Sequence, residues 1–311
     1  MTILRCIARR PAASPFRAAA SAASTRTGTA TRTQAPSFAR SLYTVPSLDR
    51  HDQLVANGVP GLFSQQGFKT AFSDNQAHLI DELNLSTTGG PLEGQDIKSL
   101  IISLARDPTK AYAFNLASMA FNNHFFFRGL NTNPDIVSQP PSDLLNQIKT
   151  DFSSESTLKE TFIATANAMF GPGFVWLVQL NPTGNSTTQT LRILPTYMAG
   201  SPLSGAHYRR QSHDLNTHNA DSHGQLNTVG SFGPNAQKGN VQQTKPKTPF
   251  GGIDVVPLLC VNTWEHAWLH DYGVGGKEAY LRAWWKKIDW SQVAQNGTFT
   301  ARKGQEQQFL Y

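Results

Sequence analysis

Asn262, Glu265 and His266 place an amide, a carboxylate and an imidazole within five residues of the run Asn262-Thr263-Trp264-Glu265-His266-Ala267. A neutral imidazole is the commonest side-chain ligand for a transition metal, and a carboxylate supplies negative charge that helps hold a redox ion. An amide is a weak ligand. Asn262 and His266 therefore offer one strong donor between them. One imidazole among amides does not hold a redox metal against water, so His266 reads as a buried, hydrogen-bonded core residue. Glu265 falls where an acid would meet the favourable dipole of a helix start.

Other candidate groups are sparser. His207, His213, His218 and His223 are irregularly spaced in residues 204–252, a stretch rich in Gln, Asn, Ser and Gly. No Cys or acid cluster frames them, and they read as a solvated loop. His270-Asp271 is an isolated pair near a helix end, with an ordinary surface role expected. No Gly-rich phosphate loop, Gly-x-Ser-x-Gly elbow or Cys/His metal spacing occurs. Cys260 lies in the apolar run Val255-Val256-Pro257-Leu258-Leu259-Cys260-Val261 and reads as a small buried hydrophobe.

Periodicity gives the elements that must position these residues. Residues 60–84 are predicted as one helix. Residues 96–106 form a second, with Ile97, Leu100, Ile101 and Leu104 at i, i+3, i+4, i+7 spacing. A third, over 110–130, carries Phe114, Ala117, Phe121 and Phe125. Ser142, after Pro140-Pro141, is a predicted N-cap, and 144–152 and 156–170 read as two more helices. The pattern changes at Gly171. Residues 174–180 and 190–194 are predicted as the strands of a hairpin around Asn181-Pro182-Thr183-Gly184-Asn185. A third strand covers 255–262, and a helix over 276–287 follows.

Composition separates the two ends of the chain. The first 48 residues hold seven Arg, no Lys and no acid, and are rich in Ala, Ser and Thr. That is the composition of a mitochondrial transit peptide, and cleavage near Arg40 or Ser41 would fit. The rest of the chain carries 20 basic residues against 21 acidic ones, so the formal charge of +6 belongs to the leader. The near-neutral body gives no sign of a strong nucleic-acid binder. No apolar run reaches the roughly 18 residues of a membrane span. The organisation expected is a leader over 1–40, a helical-hairpin domain over 41–131, and an α/β domain over 132–203 and 253–290. A polar, disordered insertion over 204–252 and a short polar tail over 291–311, ending Phe309-Leu310-Tyr311, complete it.

The run at Asn262 resembles the iron/manganese superoxide dismutase signature Asp-x-Trp-Glu-His-Ala, with Asn262 in place of the aspartate. Leu42-Tyr43-Thr44-Val45-Pro46-Ser47-Leu48 is similar to the family's N-terminal opening. Phe170-Gly171-Pro172-Gly173-Phe174-Val175-Trp176-Leu177-Val178, Ser201-Pro202-Leu203 and Trp284-Trp285-Lys286-Lys287-Ile288-Asp289-Trp290 resemble later family segments, in the family's order. The resemblance spans residues 43–290 apart from the polar stretch. It implies an α+β fold: an N-terminal helical hairpin, then a three-stranded antiparallel sheet with flanking helices.

The same resemblance implies four metal-ligand positions. Ungapped matching puts Ala71 at the first, Asn123 at the second, and Asn262 and His266 at the third and fourth. Leu79 stands at the active-site Tyr, Met119 at the iron-type outer-sphere Gln, and the manganese-type alternative falls near Ala199. His124 is one place from the second ligand, about 100° around a helix, and should point elsewhere. The implication is a site without metal or other cofactor and a chain that is not an enzyme; the competing expectation is a working dismutase with altered ligands. In the family the Glu of this motif bonds across the two-fold axis to the partner's His, so Glu265 and His266 are candidates for a surviving dimer interface. With the leader, this pattern resembles the superoxide-dismutase-like proteins of the fungal mitochondrial small ribosomal subunit. That resemblance implies a structural role in the matrix, a paralogous superoxide-dismutase-like chain as heterodimeric partner, contacts with other small-subunit proteins and a peripheral contact with ribosomal RNA.

Overall fold

The computed structural model describes residues 43–105, 107–133, 138–181, 189–203, 206 and 255–299. The leader, nearly all of the 204–252 stretch and residues 300–311 lie outside the described residues, and so do the expectations placed on them.

The N-terminal half is helical. Helix α1 spans His51–Asn57, and a short helix α2 spans Gln65–Phe68. A π-helical turn over Lys69–Asp74 leads directly into α3, Asn75–Thr87. Then come α4, Ile97–Leu104, and α5, Ala111–Arg128. The first predicted helix starts later than expected, at Gln65 and not near Gly61. Residues 58–63 close instead into a tight turn with a Val59–Phe63 bridge. Gly58 takes a positive φ of 73° there, and any side chain would strike the Phe63 and Ser64 backbone. Ser64 then caps α2, its hydroxyl accepting from Gly67 N at 3.0 Å. Helix α1 was not anticipated; its seven residues bury only Leu54.

Helix α5 is buried on nearly every side, from Ala113 and Phe114 to Phe126 and Phe127. A helix without a polar face must be central, and α3, α4 and the sheet surround it. Phe127 meets Phe63, Phe68, Phe72 and Phe126 with ring centroids 4.9–5.7 Å apart. This aromatic cluster locks α2 and the π turn onto α5.

Helices α6, Ser142–Phe152, and α7, Glu155–Ala168, lead into the sheet. Ser142 is the first helical residue and Pro141 the cap, one place from the expected N-cap. Strands β1, Gly173–Leu180, β2, Thr190–Tyr197, and β3, Val255–Asn262, form an antiparallel sheet in the order β2-β1-β3. Trp176 pairs with Leu194 on one side and Cys260 on the other. Central β1 is buried along its length to Gln179, as a strand covered on both faces must be. Pro257, which has no N–H to give a ladder, lies in an edge strand beside the one register shift.

Helices α8, Glu265–Tyr272, α9, Lys277–Trp285, and α10, Trp290–Asn296, close the chain. The expected polar tail from Ser291 is corrected here. Asp289 caps α10 through Ser291 N and Gln292 N, and Trp290 and Val293 are buried. Asn296 Nδ2 donates to Leu258 O, and Gln179 exchanges two hydrogen bonds with the Thr298 backbone. Across the division expected at 131/132, α5 packs directly on β3 and one hydrophobic core runs from Leu48 to Val293.

Truncating Phe127 to Ala should cost about 3–5 kcal/mol, the usual loss for a buried aromatic. Urea denaturation should show this as a lowered midpoint with an unchanged slope.

Candidate functional site

Of the four positions that the resemblance assigns to metal ligands, the fold joins three where α5 meets the π turn and the end of β3, since Asn123 bonds both the Ala71 carbonyl and Asn262. Ala71 is fully buried on the π turn. Asn123 lies on the buried face of α5, and Asn262 ends β3; both are inaccessible. His266 follows in the first turn of α8. Three elements therefore converge at Ala71, Asn123 and Asn262, with side chains that bond one another.

Hydrogen bonds consume those side chains. Trp264 N donates to Asn262 Oδ1 at 2.8 Å, and Asn262 Nδ2 donates to Asn123 Oδ1 at 3.2 Å. Asn123 Nδ2 donates to Ala71 O and to Gln76 Oε1, each at 3.1 Å. Gln76 Nε2 ends the chain on Ala120 O at 2.9 Å. Gln76 is 1% exposed, and sequence reading missed it. The only signal was an amide among the apolar positions of a helix, which says nothing of a partner 47 residues away.

A redox metal does not fit this arrangement. Ala71 brings no donor atom. The oxygens of Asn123 and Asn262 each already accept a hydrogen bond, and neither residue brings charge. His266 is the one strong donor. Its Nε2 is buried without a partner, and burial lowers its pKa below the ordinary 6.5, against an opposing pull from Glu265. Among the described residues no group of three His, Cys, Asp or Glu could hold a metal ion.

The neighbouring positions are also apolar. Leu79 is buried. Met119 and Ala199 line one open cleft of about 560 Å³ with Asn115, Trp264, Tyr197 and Met198, and neither of the two alternative outer-sphere positions supplies an amide. His124 is near the Ser47 backbone, and burial, then Arg128, lower its pKa against an opposing pull from that backbone. Cys260 is buried and its thiol is pushed well up by desolvation. Asp271 accepts from Ser64 N and Ser64 Oγ, tying α8 to the start of α2; it is a brace and not the free surface acid expected.

Beside this interior lies an unusually apolar surface. Phe170 is 98% exposed and Met198 63%. The turn carrying Phe170 is pinned: Lys277 Nζ donates to Met169 O, Met198 N to Pro172 O, and Thr263 Oγ1 to Gly173 O. Glu265 attracts Lys277, and Leu269, one helical turn on and 40% exposed, shares its face.

Residues 140–210 and 214–296 match the C-terminal domain of iron/manganese superoxide dismutases. The chain belongs to the iron/manganese superoxide dismutase family. Within it the chain is 26% identical to small ribosomal subunit protein mS43 of Schizosaccharomyces pombe, over 82% of this chain and 84% of that protein. It is 30% identical to small ribosomal subunit protein mS42 of the same yeast, over 66% and 74%. An iron superoxide dismutase of Babesia bovis is 24% identical over 75% and 86%. Its relatives thus include both ribosomal proteins and enzymes, so the site and not the fold must decide the chemistry.

Replacing Asn123 with Leu should strand Asn262 Nδ2 and Gln76 Oε1 in the core. At about 1–3 kcal/mol for each unsatisfied group, the loss should approach that of a core truncation and be visible by chemical denaturation. A second expectation concerns pH. His124 and His266 both have folded pKa values below the unfolded 6.5, so the unfolded chain binds more protons as pH falls past that value. Stability should be full above about pH 7 and decline as pH falls through the folded values. Exchanging both for Gln should flatten this slope in pH-resolved thermal melts.

Proposed function

We propose that the chain is a non-catalytic building block of the mitochondrial small ribosomal subunit, working in the matrix. The observation that carries this reading is the amide chain: the positions that hold the family's metal are spent on internal hydrogen bonds. Similarity to two ribosomal proteins along most of the chain supports the assembly, and the acid-free, Arg-rich leader supports the compartment.

The partner proposed is a paralogous superoxide-dismutase-like chain. Likeness to both an mS42 and an mS43 is consistent with a pair of related subunits. The face proposed for the contact carries Glu265, His266, Phe170 and Leu269. A solvent-exposed aromatic on a pinned turn beside an acid has the makeup of an interface anchor with a polar rim. The near-neutral body fits attachment held mainly by protein contacts, with ribosomal RNA touched at the periphery.

Tagged protein should sediment with small ribosomal subunits, and mass spectrometry should find a second dismutase-like chain beside it. Phe170→Asp should leave the melting temperature within about 2 °C, as for a surface change, yet remove that co-sedimentation. Native protein carrying stoichiometric iron or manganese with dismutase activity, or remaining in the light soluble fraction, would overturn the reading.

A further inference from the structure

The amide chain has a direction, and two backbone groups set it. At one end Trp264 N–H can only donate, which makes Asn262 Oδ1 the acceptor and turns Asn262 Nδ2 toward Asn123. At the other end Ala120 C=O can only accept, which makes Gln76 Nε2 the donor and turns Gln76 Oε1 toward Asn123. Asn123 sits between them with one orientation left: oxygen to Asn262, nitrogen to Gln76 and to the Ala71 carbonyl. Amide orientations are ordinarily assigned from their surroundings. Here every amide is fixed by fixed neighbours. Rotating any one of them sets N–H against N–H or oxygen against oxygen in a site no water reaches.

We infer that this directional chain has closed the site to the family's own aspartate, so that restoring the carboxylate at position 262 breaks the fold locally and does not rebuild a metal site. An aspartate there keeps the acceptor for Trp264 N–H but aims its second oxygen at Asn123 Oδ1. Asn123 cannot answer by turning over, because it would then offer oxygen to the Ala71 carbonyl and to Gln76 Oε1. Gln76 cannot follow, because Ala120 C=O holds its nitrogen. The charge is buried and unpaired: position 262 is fully inaccessible, and the groups its side chain meets, Trp264 N and Asn123 Oδ1, are not cations. A carboxylate facing an acceptor must either stay charged and unpaired or take up a proton to donate to Asn123 Oδ1, and at neutral pH either course costs more than a missing donor. The amides therefore replace the metal as the tie between α3, α5 and β3 and also bar its return by single steps.

This inference rests on the non-catalytic reading but can fail separately from it. The full chain lacking its leader is compared as native protein, Asn262→Asp and Asn262→Leu, expressed with added manganese or iron. Metal content is read by elemental analysis and stability by thermal melting. Leu removes the donor without adding an acceptor, although it fits the site's shape less well than Asp. Expected is a melting temperature lowered in both and lowest in Asn262→Asp, by roughly 5–10 °C, with metal far below one equivalent in all three. If neither variant yields folded protein, Gln76→Glu should melt below Gln76→Leu by the same logic at the chain's other end. Asn262→Asp that melts with the native protein, melts above Asn262→Leu, or takes up one equivalent of metal would overturn the inference, as would Gln76→Glu matching Gln76→Leu where that pair decides. None of these outcomes depends on whether the native chain sediments with ribosomal subunits.

Discussion

The run of hydrogen bonds from the Trp264 amide to the Ala120 carbonyl is the constraint around which the rest of the structure is arranged. It crosses from the end of the sheet through α5 to α3. Each buried amide would cost a few kcal/mol if left alone, and together they leave almost nothing unsatisfied. The π turn takes part in the arrangement. It breaks the regular ladder over Lys69–Asp74, at the place where Ala71 O accepts from Asn123 and not only from its own helix. A single-turn π segment often marks a functional site; here it serves a structural one.

Much of the fold was legible because its signals were local. β3 was placed over residues 255–262, where an apolar run ends at a polar residue, and the structure keeps those bounds. Helix α5 was recognised from its length and its aromatic spacing. The errors fell where the deciding contact is distant or the element short. Helix α10 has seven residues, and its cap Asp289 and buried Trp290 and Val293 were present in sequence but outweighed by polar neighbours. Nothing local in α5 says that its other side faces β3. Asp271 read as a surface acid because its partner Ser64 lies 207 residues away.

The site was legible in what it lacked and not in what replaced it. Ala71, Asn123 and Asn262 could be placed by resemblance, and the structure brings them to one point. Their conversion into a closed hydrogen-bond chain could not be read, because the fourth member, Gln76, is not a ligand position at all. Sequence likeness points to positions that once had a role. A new role recruited from a neighbouring turn becomes visible only when the side chains can be seen meeting.

The interior and the surface of this chain have diverged from the dismutase pattern to different extents. Inside, three of four ligand positions have changed to residues that either bond one another or offer nothing. Outside, Glu265 keeps the residue of the family's motif three positions from Asn262, and the turn of an exposed aromatic, Phe170, is held by three hydrogen bonds. A loss of constraint acting on the whole site would give no reason for that contrast. Ordering a turn to display Phe170 costs conformational entropy, and exposing its ring gains nothing for an isolated chain. Such a feature makes energetic sense when a partner covers it. On the proposed function, the stabilisation forgone at the surface and that secured in the interior serve one end: a rigid shape, tied by amides, that presents a fixed face for assembly.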